Sequence, residues 1–190
     1  YENILVVCPE IISRNLDMKN PEVYGRFGDG AAAAVLTPTY EKTGKIHKSV
    51  SETYGRTASY MQSLIGKAYL QKEGLSPEDL TLRMDAKSFK KYGFNYTENL
   101  IGKLLEEYPV EDIKIAIPQQ FSKDFIEHVD RLIPGNKILP MMDDVGFCGA
   151  ASIPLALHEA VKAGKLERGD LFLIIGIGAG LSVGGMILTY

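Results

Sequence analysis

The sequence predicts an α/β fold in which helices pack against sheets, and three observations lead to this prediction. Apolar runs of strand length alternate along the chain with segments whose apolar residues recur at helical spacing. A unit of apolar strand, glycine turn and small-residue strand occurs near the start and again at the end. The hydrophobic fraction of 45% and the charged fraction of 24% are ordinary for a globular protein. Alternating strands and helices also predict largely parallel sheets.

The repeated unit indicates an internal duplication. Its first copy consists of residues 3–8 and, after a polar stretch, residues 28–37. Its second copy consists of residues 171–175 and residues 178–189. In each copy glycines separate two apolar strands, and glycine permits the positive φ angles and close backbone approach of a tight turn. The chain then holds only the tail of a first half and all of a second, so we expect it to be a piece of a longer protein.

The other elements are predicted from local patterns in chain order. Buried strands are expected at residues 1–9, 29–36, 113–117 and 137–139 and in the closing hairpin, with one short strand at 45–50. Helices are expected at residues 57–73, 85–107, 122–132 and 149–163, and a capped turn begins at residue 76.

Composition and charge exclude several classes of function. A net charge of −3 gives no reason to expect a nucleic-acid partner. The two cysteines, Cys8 and Cys148, form neither a disulfide framework nor a metal site. The chain shows no signal peptide, so a cytoplasmic location is expected.

The uncharged run at residues 171–188 allows one competing interpretation, a membrane tail anchor. Its length approaches the roughly 20 residues that span a bilayer, and Gly176, Gly180 and Gly184 have the spacing of helix-packing motifs. Each glycine would cost a helix about 1 kcal/mol, however, and no basic residue follows the run. A buried strand pair is favoured, and no membrane partner is expected.

The glycine pairs Gly28–Gly30 and Gly178–Gly180 resemble phosphate-binding loops only superficially. A dinucleotide fingerprint needs a helix after the glycines so that its N-terminus faces the phosphate. A strand is predicted after each pair here. Tight turns between paired strands are therefore favoured over nucleotide binding.

Two further positions carry candidate chemistry. Gln119 and Gln120 follow a predicted buried strand, where α/β proteins keep their sites, but on this evidence alone a polar turn that caps the next helix is favoured. Cys148 precedes a helix whose dipole could lower the pKa of its thiol. His158 lies roughly 15 Å further along that helix, so no base is near. A buried, inert Cys148 is favoured.

Four stretches together resemble β-ketoacyl-acyl carrier protein (ACP) synthase III, a family of the thiolase-like superfamily. They are residues 27–36, 149–157, 164–170 and 178–184. The resemblance covers nearly the whole chain and implies the thiolase-like αβαβα layered fold of two similar halves.

The resemblance also divides the chain. It implies that residues 1–37 end the N-terminal half and that residues 38–190 form the C-terminal, 3-oxoacyl-ACP synthase III-like domain.

The resemblance implies acyl transfer through a cysteine in the first half, a position that neither Cys8 nor Cys148 matches. In the family, a histidine and an asparagine then bind the thioester oxygen of malonyl-ACP and stabilise the enolate formed by decarboxylation. The histidine belongs to a Pro-His-Gln-Ala-Asn pattern, and Gln119 stands in its place. The asparagine belongs to a Gly-Asn-Thr-Ser pattern, and Phe147 stands in its place.

Both departures change the expected chemistry. The Gln119 amide can donate a hydrogen bond but cannot become cationic. The Phe147 side chain can neither donate a hydrogen bond nor become cationic. Losing one oxyanion donor typically costs about 10²–10³ in rate, so we expect acyl transfer or exchange without decarboxylation. The backbone N–H near Ala179, in the loop from Gly178 to Gly180, can still donate a hydrogen bond to the oxyanion of the acyl-cysteine. This loop and Cys148 are the expected substrate-binding residues.

The resemblance implies acyl-CoA or acyl-ACP as substrate, no cofactor or metal, and a homodimer or heterodimer of the full-length protein in fatty-acid or polyketide-type biosynthesis. The 190 residues alone are expected to be inactive. The alternative is a non-catalytic partner subunit that shapes the pocket of an active homologue. Several basic residues could contact an acidic carrier protein, but a solvated helix face explains them better. These residues are Lys87, Lys90, Lys91, Lys123 and Arg131.

Overall fold

The computed structural model of the chain describes residues 2–38, 44–62, 81–135 and 137–190. The strands are β1 (Ile4–Glu10), β2 (Gly30–Leu36), β3 (Ile46–Thr53), β4 (Met61–Gln62), β5 (Arg83–Met84), β6 (Ile115–Pro118), β7 (Leu171–Gly178) and β8 (Ser182–Thr189). The α-helices are α1 (Pro21–Tyr24), α2 (Ala86–Leu105), α3 (Lys123–Leu132), α4 (Met142–Val145) and α5 (Ser152–Lys162). Single 3₁₀ turns occupy Ile12–Asn15, Gly55–Tyr60, Val110–Asp112 and Gly149–Ala151.

A four-stranded sheet with the order β3-β8-β7-β6 organises the core. Strands β7 and β8 form the predicted hairpin, and β6 runs parallel to β7. Side chains of β7 alternate between two apolar clusters. Leu173, Ile175 and Ile177 pack with residues of α2 and α3, whereas Phe172 packs with Ala156 of α5. Because both faces are covered, β7 is apolar at almost every position.

The helices α2 and α3 begin within one residue of their predicted starts, and a side chain caps each of them. The Asp85 carboxylate accepts a hydrogen bond from the Ser88 backbone N–H at 3.0 Å, where α2 begins. The Ser122 hydroxyl accepts one from the Phe125 N–H at 3.1 Å, where α3 begins. The predictions of helices at 85–107 and 122–132 are confirmed. The predicted helix at 149–163 is a 3₁₀ turn that continues into α5.

Two predictions about secondary structure are wrong. The sheets are not largely parallel, because β6–β7 is the one parallel strand pair in the described residues and the pairs β1–β2, β3–β8, β4–β5 and β7–β8 are antiparallel. The helix predicted from residue 57 is instead a 3₁₀ turn followed by β4, although its continuation lies outside the described residues. The Thr57 hydroxyl donates to the Tyr54 carbonyl and accepts from the Leu181 N–H, both at 2.6 Å. The bond from Leu181, in the β7–β8 loop, overrides the local helical spacing. The turn predicted at residue 76 also lies outside the described residues.

The first hairpin is antiparallel, as the repeat predicted, but it is not buried. Its register runs from Ile4 opposite Leu36 to Glu10 opposite Gly30. The end at Gly30 packs against the Leu155 side chain of α5. Elsewhere its apolar side chains face solvent, and Leu5 is 64% exposed. The prediction of a buried first strand is wrong because the described residues place no layer over this part of the hairpin.

The tail-anchor alternative is also wrong. The run 171–188 forms most of β7 and β8, and the chain reverses between them at Gly180, which has a φ of +125°. Among the helices that the structure describes, none has the length and apolar character needed to cross a membrane.

Candidate functional site

A cleft of about 420 Å³ lies between the first hairpin and the four-stranded sheet. It is bounded by the carboxyl end of β6, the β7–β8 loop, the start of α5 and the end of β1. Its lining residues are mostly apolar, with aromatic rings from Phe27, Phe89, Phe121 and Phe147. Gln119, Gly178 and Ala179 also line it, so four of the predicted site residues share one cleft.

The Gln119 side chain is held in one orientation. Its Oε1 accepts a hydrogen bond from the Ile177 N–H at 2.7 Å, and its Nε2 donates to the Gly149 carbonyl at 3.2 Å. Rotating the amide by half a turn would place Nε2 against the Ile177 N–H and Oε1 against the Gly149 carbonyl. Only the present orientation of the amide therefore allows both hydrogen bonds. The amide nitrogen has a second hydrogen, and within the described residues no hydrogen bond uses it. Gln119 is therefore a fixed hydrogen-bond donor in the cleft.

The neighbouring Gln120 has a structural role instead. Its side chain is buried, its Nε2 donates to the carbonyls of Pro118 and Leu139, and its Oε1 accepts from the Met141 N–H at 2.8 Å. These bonds connect the end of β6 to the segment before α4. Of the two glutamines that the sequence singled out, only Gln119 lines the cleft.

Phe147 forms part of the apolar wall. Its side chain is 5% exposed and packs between the rings of Phe121, at 5.4 Å between centroids, and Phe27, at 5.5 Å. Its backbone N–H donates to Arg26 and its carbonyl accepts from Gly28, which ties this segment to the first hairpin. A Cβ at Gly28 would overlap the Val145 carbonyl, so glycine is required for this approach. Phe147 offers no side-chain hydrogen bond to a ligand.

Two of the predicted substrate-binding residues lie elsewhere. Gly180 completes the β7–β8 turn and does not line the cleft. Cys148 is fully buried, its thiol donates to the Val145 carbonyl at 3.2 Å, and it faces Gly30 rather than the cleft. Burial, with smaller contributions from Asp29 and Glu10, raises the pKa of the Cys148 thiol. The favoured interpretation of an inert cysteine fits this placement, whereas a substrate contact by Cys148 does not.

Sequence reasoning missed Glu10. This residue ends β1 and is the one charged side chain among the described residues that line the cleft. Its carboxylate accepts a hydrogen bond from the Ala150 N–H at 3.0 Å, just before α5 begins. Glu10, like Gln119, lies at the carboxyl end of an apolar strand. This position is the feature of the sequence that could have identified it as a site residue.

Other reactive groups are remote from the cleft or paired. None of the three histidines lines it. The described residues contain no cluster of three or more side chains suited to a metal ion. Among the basic residues considered for an acidic carrier, Lys90 lies beside Asp124 and Lys123 beside Asp143. These pairs reduce the positive charge of the helix surface.

Comparison with known proteins relates this cleft to an enzyme family. Residues 106–190 match the family model described as 3-oxoacyl-[acyl-carrier-protein] synthase III C terminal, and residues 1–55 match the model of 3-oxoacyl-[acyl-carrier-protein] synthase III. The β-ketoacyl-[acyl-carrier-protein] synthase III of Aquifex aeolicus is 31% identical over 194 residues, which cover 100% of this chain and 58% of that protein. The enzyme of the same name from Microcystis aeruginosa is 29% identical over 197 residues, with coverages of 100% and 59%.

Solved structures show the same similarity to synthase III enzymes. The 3-oxoacyl-[acyl-carrier-protein] synthase III of Aquifex aeolicus superposes with a TM-score of 0.87 at 30% identity, covering 100% of this chain and 58% of that one. The synthase III of Thermus thermophilus gives a TM-score of 0.87 at 28% identity, with coverages of 100% and 59%. The chain thus spans less than two thirds of these relatives. It has their thiolase-like α/β fold and belongs to the 3-oxoacyl-[acyl-carrier-protein] synthase III family.

Proposed function

We propose that the protein is an acyltransferase that handles acyl-CoA or acyl-ACP thioesters in fatty-acid or polyketide-type biosynthesis. The observation that carries the proposal is that Gln119 and Phe147 line one cleft with the backbone of Gly178 and Ala179. These two side chains occupy the positions of the family histidine and asparagine. The domain division at residue 37 belongs to the same proposal, with residues 38–190 as the C-terminal domain.

The cleft supports binding of a thioester. Its aromatic and aliphatic walls suit an acyl chain, and the fixed Nε2 of Gln119 is a donor for the thioester oxygen. The backbone N–H of Ala179 is a second candidate donor because it needs no side chain. The N–H of Ile177 is already bonded to Gln119 and is not available.

The same residues argue against decarboxylative condensation. An enolate formed from a malonyl group needs strong donors, and a neutral amide is weaker than a histidine that can become cationic. Phe147 supplies no donor at the asparagine position. If each missing donor costs about 10²–10³ in rate, condensation is slower by several orders of magnitude. We propose transfer or exchange of acyl groups without loss of carbon dioxide.

The covalent step needs a nucleophile that these 190 residues do not offer. The nucleophilic form of cysteine is the thiolate. Cys148 is buried with a raised pKa, and Cys8 lies on β1 and does not line the cleft. We therefore propose that the active cysteine belongs to a first half of a longer protein, and that the 190 residues alone do not condense acyl groups.

A second candidate is a non-catalytic subunit that shapes the pocket of an active homologue. Phe147 favours it, because an apolar ring fills the place of a catalytic amide.

The test measures two reactions of the full-length protein. The first is acyl transfer from acyl-CoA to a thiol acceptor, and the second is malonyl-dependent release of carbon dioxide. We expect transfer without condensation from the wild type. The double substitution Gln119→His with Phe147→Asn should raise condensation by at least about tenfold, because it restores both donors.

The outcomes separate the two candidates. An unchanged condensation rate in a folded double variant with its nucleophilic cysteine intact contradicts the substitution argument. Absence of both reactions from the wild type favours the non-catalytic subunit. Carbon dioxide release by the 190 residues alone contradicts the missing-nucleophile argument.

A further inference from the structure

We infer that Thr57 is a positioning residue for acyl transfer, because its buried hydroxyl fixes the direction of the backbone N–H of Ala179 in the cleft. The inference rests on the proposed function, in which that N–H donates a hydrogen bond to the thioester oxygen. Thr57 does not line the cleft. It acts through the loop between β7 and β8, which consists of residues 179–181.

The loop does not fix this direction by itself. Glycine stands on both sides of Ala179, and glycine gives a backbone more freedom than any other residue. A Cβ added at Gly178 would have no atom within 4 Å, so no packing surrounds that position. Gly180 has a φ of +125°, and Ala179 itself is exposed. The loop therefore takes its position from the hydrogen bonds at its two ends.

Hydrogen bonds hold the loop from both sides. On the β7 side, the Ile177 N–H donates to Gln119 Oε1 at 2.7 Å. On the β8 side, the Leu181 N–H donates to the Thr57 hydroxyl at 2.6 Å. Ala179 lies midway, two residues from each of these amides. Within the described residues no hydrogen bond uses the Ala179 N–H, so this group is available to a ligand in the cleft.

The acceptor of the Leu181 N–H is itself held in place. The Thr57 side chain is 5% exposed, and its hydroxyl donates to the Tyr54 carbonyl at 2.6 Å. The Tyr54 N–H donates to the Leu181 carbonyl at 2.8 Å, so both backbone polar groups of Leu181 bond to the segment 54–57. Without the Thr57 hydroxyl, the N–H of the fully buried Leu181 would lose its acceptor. The loop would then shift to restore a hydrogen bond.

The direction of the Ala179 N–H matters because negative charge develops on the oxygen that it faces. In acyl transfer, the cysteine thiolate forms a bond to the thioester carbon and the carbonyl oxygen takes up the charge. The bond from that carbon to the coenzyme A sulfur then breaks, and coenzyme A leaves as a thiolate. A displaced donor stabilises this oxyanion less but hardly changes the binding of the neutral thioester. Loss of a donor costs about 10²–10³ in rate, and for a displaced donor we expect about tenfold.

The test measures acyl-enzyme formation by the full-length protein in single-turnover experiments. The probe is whichever of acetyl-CoA and octanoyl-CoA the wild type uses faster. Thr57→Val keeps the shape of the side chain but removes the hydroxyl. We expect its rate constant at saturating thioester to fall about tenfold, while the half-saturating concentration stays within about twofold of the wild type.

Two control variants separate the hydrogen bond from general packing. Thr57→Ser keeps the hydroxyl and should retain the wild-type rate constant. Thr97→Val makes the same exchange at a fully buried threonine of α2, whose hydroxyl has no hydrogen-bond partner among the described residues. It breaks no hydrogen bond and should leave the rate constant unchanged.

The outcomes distinguish this inference from the proposed function. A wild-type rate constant in folded Thr57→Val overturns the inference and leaves the proposed function standing. A loss of the same size in Thr57→Ser or Thr97→Val also overturns it, because general packing would then explain the effect. If Thr57→Val does not fold by circular dichroism, Thr57→Ala replaces it, since it leaves room for a water molecule between the Leu181 N–H and the Tyr54 carbonyl. A wild-type rate constant in Thr57→Ala then overturns the inference. Formation of no acyl-enzyme by the wild type overturns the proposed function and this inference with it.

Discussion

Replacing Phe147 by asparagine should cost the protein a large part of its stability. The ring is 5% exposed and touches two other aromatic rings, those of Phe27 and Phe121. Truncating a buried phenylalanine to alanine costs about 3–5 kcal/mol. Asparagine refills some of the volume, but its amide has no partner among these rings, and an unpaired buried amide costs about 1–3 kcal/mol. We expect Phe147→Asn to lower the free energy of unfolding by about 4 kcal/mol.

Urea denaturation followed by circular dichroism measures this loss, because the chain has no tryptophan for a fluorescence probe. Phe147→Leu is the matched control, since it keeps an apolar side chain of similar volume and should cost less than about 2 kcal/mol. A Phe147→Asn variant within about 1 kcal/mol of the wild type would refute the packing described for the ring. Because Phe147→Asn lowers the free energy of unfolding, the activity of the variant that combines it with Gln119→His must be normalised to the amount of folded protein.

Two further predictions concern stability away from the cleft. Ser122→Ala removes the side-chain cap that accepts from the Phe125 N–H, so it should lower the free energy of unfolding by about 1 kcal/mol in the same urea assay, and no change would contradict the cap. The hydrogen bond to Glu52, aided by burial, raises the pKa of Tyr54 to about 12. Between about pH 10, where an unfolded tyrosine ionises, and pH 12, the unfolded chain loses a proton that folded Tyr54 keeps, so stability falls as pH rises. Thermal unfolding of Tyr54→Phe should show a shallower alkaline decline than the wild type, and equal slopes would rule out this coupling.

The parts of the fold that the sequence predicted are those set by local patterns. The uncharged run with alternating glycines predicted the β7–β8 hairpin, and the spacing of apolar residues predicted α2 and α3. Sheet order and strand direction depend on non-local pairing, so the mixed sheet was not predictable from helix–strand alternation. The turn at Thr57 escaped prediction for the same reason, because its hydrogen bonds go to the distant β7–β8 loop.

Local reasoning predicted the candidate site only where position along a strand decides, and Phe147, Gly178 and Ala179 were predicted from the family resemblance. Gln119 follows β6, which placed it at the correct edge of the sheet. The burial of Gln120 depends on Leu139 and Met141, residues that the sequence does not place beside it. Cys148 was expected to be buried and inert, as it is, but its packing against Gly30 and away from the cleft depends on a non-local contact. Glu10 needed a contact with Ala150, 140 positions away along the chain, before any role could be assigned.

The backbone bonds between Phe147 and the first hairpin have a mechanical consequence. Arg26 and Gly28, just before β2, bond the carbonyl and N–H groups of Phe147 in one parallel bridge, so a shift of this segment moves the main chain of Phe147 with it. Because Phe27 and Phe147 both line the cleft, the segment before β2 and the segment before α5 form one continuous wall of it.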